Sequence, residues 1–191
     1  MRLKDKVAIV TGGAHGMGEA EARLFAAEGA KVIVADILAG DTKTVAADIR
    51  AAGGEAAAAK IDVTDEAEWV ALIDKAVTTY GRLDILVNNA GISGSSVGDP
   101  DGLEGWHRII AVNQTSVFLG TKLAAEQMAK SGGGSIVNIS SIMGFVGSTS
   151  GHPAYHPRKA RCGSTPRPQP CDTVRPASGS TPCIRGTCRR C

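Results

Sequence analysis

Near the amino terminus, a short apolar run is followed at once by three closely spaced glycines. Val7 to Val10 are consecutive apolar residues, typical of a parallel β-strand that is buried on both faces. Gly12, Gly16 and Gly18 come next, and a second run, Lys31 to Asp36, ends in a carboxylate. A strand, a glycine-rich turn, a helix and another strand form a right-handed crossover unit, with the helix amino terminus open to an anionic group. This unit restricts the chain to an α/β fold built on a parallel sheet.

The residues after the turn predict the helix of this unit. Its apolar positions recur at helical spacing, and Gly29 is a typical helix stop. The residues at those apolar positions are Met17, Ala20, Leu24 and Ala27.

The glycines and the carboxylate together indicate a dinucleotide site. Gly12 permits the tight turn, Gly16 lets the backbone approach a cofactor, and Gly18 allows the helix to pack closely. Asp36 would accept hydrogen bonds from the adenosine ribose, and its charge would repel a 2′-phosphate, so the pattern favours NAD over NADP. His15 lies where a basic residue could meet that phosphate, although a neutral histidine is a poor phosphate ligand and is more often a simple loop residue.

Strands and helices continue to alternate after Asp36. Runs at Ala57 to Ile61, Leu83 to Val87 and Gly134 to Ile139 predict three more strands, and Thr64 is the candidate cap of a helix after the first. Polar residues follow each run, at the strand ends where doubly wound sheets bind ligands. The predicted fold is therefore a doubly wound, Rossmann-like parallel sheet. The apolar positions of the helix are Val70, Ile73, Val77 and Tyr80, and the polar residues are Asp62, Asn88, Asn89, Ser140 and Ser141.

The composition changes abruptly after His156. Residues 156–191 hold all five cysteines, six of the eight prolines and one acid, Asp172. Their net charge is +7, and since the whole chain carries +2, residues 1–155 carry −5. A basic tail is ordinarily typical of binding to nucleic acid or anionic surfaces. Because Pro-rich segments without periodicity do not build a packed core, we predict a domain at residues 1–156 and an irregular or disordered tail at 157–191.

A shifted reading frame explains this tail more simply. If one base is lost after the codon for His156, the tail back-translates, with free choice of wobble bases, to A-S-K-G-A-V-R-L-Y-T-K-A-A-A-V-R-Y-G and later to R-I-N-S-V-H-P-G-Y. The recovered string has the composition and spacing of a helix and then of a strand closed by Pro-Gly. We interpret residues 157–191 as an out-of-frame product that leaves the fold incomplete at its carboxyl end, with a genuine evolved tail as the alternative and no nucleic-acid partner.

The cysteines of the tail predict no metal site. Cys188 and Cys191 have the spacing of a metal knuckle, but the sequence contains no second paired knuckle. The chain also shows no signal peptide and no apolar run long enough for a membrane helix, so we expect a cytoplasmic protein without disulfides or membrane contact.

Several motifs occur in an order that resembles the short-chain dehydrogenase/reductase family over residues 1–156. The resemblance implies hydride transfer between NAD(H) and a small-molecule alcohol or ketone, and a homo-oligomer in the intact family form. Residues Asn138 to Ser141, together with Asp36, resemble NAD-dependent secondary-alcohol dehydrogenases that act on cyclic alcohols, ketones or steroids. The motifs are Thr11-Gly12-x-x-x-Gly16-x-Gly18, Asp62-Val63, Asn88-Asn89-Ala90-Gly91, Asn113, Ser141 and Tyr155.

By this resemblance, four residues form the catalytic group. Tyr155 is the general acid/base, and because a free phenol ionises only near pH 10, a cation one helical turn away is needed to favour the phenolate. Lys159 has that spacing and would also hold the nicotinamide ribose, while Ser141 would bind the reacting carbonyl and Asn113 would hold a water molecule. In the restored frame the family lysine overlaps the codons of Arg158 and Lys159, so Lys159 occupies its position by coincidence.

The prolines of the tail oppose the helix that should carry Tyr155 and Lys159. Pro166, Pro168 and Pro170 each remove a helical hydrogen bond, so Lys159 would lie near Tyr155 without being held there. An inactive nucleotide-binding fragment with a basic tail is therefore the alternative to a dehydrogenase. The predicted cofactor-binding residues are Gly12, His15, Gly16, Met17, Gly18, Asp36, Asp62, Val63, Asn89, Ala90, Gly91, Tyr155 and Lys159.

Overall fold

The computed structural model describes residues 1–96, 102–142 and 154–155. Lys159, the proposed boundary after residue 156 and the tail lie outside these ranges. Within them, five strands alternate with five α-helices, in addition to a short 3-10 turn at Gly94–Ser96 and a π-helical turn at Ala111–Thr115. In chain order the elements are β1 Val7–Thr11, α1 Gly16–Ala27, β2 Lys31–Asp36, α2 Ala39–Ala51, β3 Glu55–Lys60, α3 Glu66–Tyr80, β4 Ile85–Asn88, α4 Leu103–Ile110, α5 Ser116–Lys130 and β5 Ser135–Asn138.

The five strands form one parallel sheet in the order β3-β2-β1-β4-β5. The chain moves outward from β1 through β2 to β3, and then returns to the other side of β1 to add β4 and β5. This reversal creates a crevice at the carboxyl ends of β1 and β4, where sheets of this type bind ligands. The doubly wound parallel fold expected from the sequence is confirmed.

Helices pack on both faces of the sheet. On one face, Trp69 of α3 is buried, donates a hydrogen bond of 2.8 Å from Nε1 to the carbonyl oxygen of Val63, and packs against Gly120 of α5, where a Cβ atom would collide with the indole ring. On the other face, α1 and α2 cover a row of valines. Alternate side chains of β1 and β2 enter these two cores, which explains their unbroken apolar sequences.

The predicted apolar face of α1 is wrong. The helix does end before Gly29, as expected, but the four residues of that face, Met17, Ala20, Leu24 and Ala27, are all exposed. The buried residues are Gly18, Ala22 and Ala26, whose small size lets the helix axis approach the sheet. Close packing against β1 has therefore outweighed burial of the larger side chains.

The start and orientation of α3 also differ from the prediction. Its N-cap is Asp65, whose Oδ1 accepts hydrogen bonds from the main-chain N–H groups of Ala67 and Glu68, at 2.7 and 3.3 Å. Thr64 instead donates its hydroxyl to Asp62. Of the predicted apolar face, Ile73 is buried and Tyr80 packs half-buried against the core, whereas Val70 is exposed. The other buried residues of the helix are Trp69, Leu72 and Ala76.

The strands lie within two residues of their predicted bounds. Of the helices in the described ranges, none is long and apolar enough to cross a membrane.

Candidate active site

The glycine-rich turn forms a cradle at the amino terminus of α1. Gly12 has a φ of +66°, and a Cβ atom there would lie 2.9 Å from the Cα atom of Ala90. A Cβ atom on Gly18 would overlap the carbonyl oxygen of Gly12, so the helix and the turn are in the close contact expected from the sequence. Among the described residues, no atom lies within 4 Å of a Cβ atom placed on Gly16, and the N-cap residue, His15, makes no side-chain hydrogen bond to the first turn of α1. This open helix terminus fits a pyrophosphate group.

Asp36 is fixed beside this turn at the end of β2. Its Oδ2 accepts a hydrogen bond of 3.2 Å from the N–H group of Ala14, and its Oδ1 accepts one of 3.1 Å from that of Leu38. These contacts hold the carboxylate in place and leave further lone pairs for ribose hydroxyls. Nearby, Nε2 of His15 lies 3.0 Å from Oδ2 of Asp41 in the first turn of α2.

Hydrogen bonds lock the turn after β1 to the loop after β4. The buried hydroxyl of Thr11 donates to the carbonyl oxygen of Val87 and accepts from the N–H groups of Asn89 and Ala90, both at 3.1 Å. In return, the Asn89 amide donates to the carbonyl oxygens of Thr11 and Gly12, at 2.9 and 3.3 Å. This network fixes the two loops that border the crevice.

A mostly apolar cavity lies at one end of the crevice. Asp62 borders it, and hydrogen bonds from the main chain and hydroxyl of Thr64 hold the pKa of this carboxyl below its usual range, against the opposing effect of burial. The charges of Arg108 and Lys60 act in the same direction as the hydrogen bonds. Asp62 is therefore an anion that can accept a hydrogen bond. The cavity is lined by Gly12, Asp36, Ile37, Ile61, Asp62, Val63, Ala90, Gly91, Ile92, Arg108 and Val112.

A second, more polar cavity continues from the first. Five residues border both cavities, so together they form one groove along the carboxyl ends of the strands. This cavity brings Ser141, which follows β5, to the same space as Tyr155 and the loop after β4. It is lined by Gly12, His15, Met17, Asp36, Asn89, Ala90, Gly91, Ile92, Ser93, Ser96, Ile139, Ser140, Ser141 and Tyr155.

Asn113 lies behind the groove rather than along it. It is 2% exposed and sits in the π-helical turn between α4 and α5. Its Oδ1 accepts a hydrogen bond of 2.6 Å from the N–H group of Ile92, and its Nδ2 donates one of 2.5 Å to the carbonyl oxygen of the same residue. π-Helical turns are rare and occur frequently at functional sites. The side chain of Asn113 therefore positions the loop after β4, and its predicted role in holding water stays a prediction.

Most of the predicted site residues meet in the groove. Gly16 and Gly18 lie in the adjoining turn, and Lys159 lies outside the described residues. Sequence reasoning missed Arg108 and the apolar side chains of Ile37, Ile92 and Val112. No local pattern marks Arg108, because only the packing of α4 brings it to the cavity. The predicted residues on the groove are Gly12, His15, Met17, Asp36, Asp62, Val63, Asn89, Ala90, Gly91, Ser141 and Tyr155.

Comparison with known proteins gives a consistent set of relatives. The family model described as short chain dehydrogenase matches residues 6–160. The chain is 48% identical over 159 residues to a 2,5-dichloro-2,5-cyclohexadiene-1,4-diol dehydrogenase of Sphingobium indicum, a match that covers 83% of this chain and 63% of the relative. It is 47% identical over 151 residues to a 3-alpha-(or 20-beta)-hydroxysteroid dehydrogenase of Mycobacterium tuberculosis, covering 79% of this chain and 57% of the relative.

A solved structure is also similar. It is a 7 alpha-hydroxysteroid dehydrogenase complexed with NADH and 7-oxo glycochenodeoxycholic acid, with a TM-score of 0.76 and 37% identity. The match covers 84% of this chain and 62% of that one. The chain thus spans less than two thirds of the length of each of these relatives.

Proposed function

Because this chain belongs to the short chain dehydrogenase family, we propose that it is a form of NAD-dependent dehydrogenase that interconverts a secondary alcohol and its ketone. The observation that carries the proposal is the continuous groove. It joins the glycine cradle and Asp36 at one side to Ser141 and Tyr155 at the other. This arrangement supports an extended dinucleotide whose reactive end would lie beside Tyr155, the proposed acid/base, and Ser141.

The residues present fit NAD(H). The open amino terminus of α1 suits a pyrophosphate, the anchored Asp36 suits a ribose diol, and the apolar cavity with the Asp62 anion suits an adenine ring and its amino group. When bound, NAD(H) supplies the hydride acceptor or donor. Asp36 would disfavour a 2′-phosphate at the ribose by charge repulsion, which supports NAD over NADP.

Tyr155 and Ser141 are the residues that would handle the proton and the substrate oxygen. Both border the polar cavity. Tyr155 would donate a proton to the substrate oxygen during ketone reduction and accept it during alcohol oxidation, and Ser141 would hydrogen-bond that oxygen. Lys159 is proposed as their cation on the basis of its spacing alone.

A cyclic secondary alcohol is the proposed substrate class. The two relatives are named for a cyclohexadiene diol and for hydroxysteroids, and the similar structure contains a 7-oxo compound. The cyclohexadiene diol, the 3-alpha-hydroxysteroid and the 7-oxo compound each carry the oxygen function on a ring, whereas the 20-beta position of a steroid is on its side chain. An intact protein of this type is further proposed to be cytoplasmic and homo-oligomeric.

The second candidate is an inactive nucleotide-binding fragment. The observation that favours it is the change in composition after His156, close to residue 160, where the family match ends. If residues 157–191 are out of frame, the chain holds a nucleotide site without the helix that should support Tyr155. Sequencing the gene across the codon for His156 tests the frame directly.

The catalytic proposal is tested with Tyr155→Phe in a frame-restored chain. Removal of the phenolic hydroxyl should lower alcohol oxidation by about 10²- to 10⁴-fold and leave the Kd for NADH within about twofold, because it deletes a proton-transfer group and little contact area. Turnover is followed by NADH absorbance, and binding by fluorescence titration. The matched control is Tyr80→Phe, at the end of α3, which should retain activity. Retained turnover in Tyr155→Phe would refute the assignment.

A further inference from the structure

A hydrogen-bonded pair of one basic and one acidic side chain lies beside the proposed ribose site. His15 is the N-cap residue of α1 and borders the polar cavity, and its Nε2 is 3.0 Å from Oδ2 of Asp41. Asp41 belongs to the first turn of α2, which begins three residues after Asp36. The contact between His15 and Asp41 therefore links the starts of the two helices that frame the proposed ribose site.

The contact with Asp41 affects whether His15 can bind a phosphate group. Among the described residues that line the polar cavity, His15 is the only one with a basic side chain, and Asp36 is the only one with a carboxylate. A histidine side chain binds phosphate well only as a cation that points a free N–H group at the anion. Here Nε2 already faces the carboxylate of Asp41, which also adds a second negative charge, from the first turn of α2, near that of Asp36.

We propose that Asp41 is a specificity-determining residue that acts through His15. By engaging the imidazole, Asp41 keeps His15 from binding a ribose 2′-phosphate, and so reinforces the discrimination that Asp36 provides against NADP(H). The inference rests on the proposed NAD(H) site. Asp41 does not touch the cofactor in this scheme, and is a positioning residue for His15.

The test is a double-mutant cycle on the full chain. Wild type, Asp41→Asn, His15→Gln and the double variant are titrated with NADPH and with NADH by fluorescence at low ionic strength. Asp41→Asn should tighten NADPH binding by about fivefold, the size of one exposed charge pair, and leave NADH binding within about twofold. The gain should be lost in the His15→Gln background, because no imidazole is then present to bind the phosphate.

A control of equal charge is available on the same helix. Asp48→Asn also removes one carboxylate from α2, but the partner of Asp48 is Arg23, at 2.8 Å, and neither residue lines the groove. This variant should leave the NADPH affinity unchanged. His15, Asp41 and Asp48 are all exposed, so the variants should fold like the wild type, which circular dichroism checks.

The outcomes separate this inference from the proposed function. If wild type binds neither dinucleotide, the NAD(H) site is refuted and the role of Asp41 falls with it. If wild type binds NADH but Asp41→Asn behaves like Asp48→Asn, only the role of Asp41 is wrong. An equal NADPH gain with and without His15 would mean that Asp41 acts by its charge alone, which would also overturn the inference.

Discussion

Four valines form one row across the sheet, yet their surroundings differ sharply from one side to the other. Register pairs Val34 with Val10, Val10 with Val87, and Val87 with Val137, so the four side chains share the face that α1 and α2 cover. The first three are 0%, 0% and 2% exposed, whereas Val137 on β5 is 42% exposed. The nucleotide half of the sheet is therefore covered on this face, and its β5 side is not covered by the described residues.

The difference shows that the two halves of the proposed site depend on different parts of the chain for their structural support. The glycine cradle, Asp36 and the β1-β4 network are held by elements that lie within residues 1–96. Ser141 follows β5. On the sheet face that α1 and α2 cover, β5 is the less covered strand. On its other face β5 does pack, through Ile136, against the core formed with α3 and α5. Full burial of Val137 requires a further element over β5.

The largest expected effect concerns Asp84, which lies just before β4, between the nucleotide side and the β5 side of the sheet. This 4% exposed carboxylate accepts a hydrogen bond of 3.0 Å from the N–H group of Val7 and is paired with Arg82, at 2.6 Å. Asp84→Ala should lower the free energy of unfolding by about 3 kcal/mol, because it leaves a buried donor and a cation without their acceptor. Urea denaturation measures the change, and Asp74→Ala on the exposed side of α3 is the control, with less than about 0.5 kcal/mol expected.

The same carboxylate predicts how stability depends on pH. Burial disfavours its charge, but hydrogen bonds from Arg82 and Val7 and the charges of Arg82 and Lys6 keep the pKa of Asp84 below its usual range. Its contribution should be present in full above the unfolded-state pKa near 3.9 and be lost as the pH falls through the lower folded value. Wild type and Asp84→Ala should therefore converge in acid. A constant difference in stability from pH 7 down to pH 2 would contradict this account.

A smaller effect tests the comparison itself by making one substitution on each side of the sheet. Val34→Ala should cost about 2 kcal/mol, since it removes buried methyl groups and leaves a cavity. Val137→Ala should cost less than about 1 kcal/mol, because its side chain is already partly in water. Both values come from urea denaturation of the full chain. Equal costs would mean that β5 is covered in solution, and the contrast between the two halves would be withdrawn.

The smallest effect is expected at Glu21 in α1. Its Oε2 is buried and has no hydrogen-bond partner among the described residues, and burial raises the pKa of this carboxyl. A raised pKa means that ionisation disfavours the folded state, so Glu21→Gln should increase stability slightly at pH 7 to 8. The gain should disappear as the pH falls below about 4.3, where the carboxyl is neutral in both states. Thermal unfolding at several pH values measures it, and a destabilised variant at pH 8 would show that the charge is compensated.

The sequence predicted the elements well because strands and turns leave local signals. Continuous apolar runs located β1 and β2, and Gly12 and Gly18 located the turn between β1 and α1. The orientation of helices was less accessible. In α1, helical spacing alone favoured the face with Leu24, whereas the structure buries the smaller Ala22. Periodicity reports which residues share a face, but the depth to which a helix packs depends on its partner.

By itself, the sequence determined the order of the elements, the positions of the cradle glycines and the placement of Asp36 and Asp62 at strand ends. These features are encoded by residues that are close in sequence. Strands show a period of two residues and helices a period of 3.6 residues, and both can be recognised locally. The tertiary structure alone decided which of four similar valines is exposed, that Arg108 borders the apolar cavity, and that His15 meets Asp41. These contacts join residues that are distant in sequence, or turn on what covers a surface, and no local pattern encodes either.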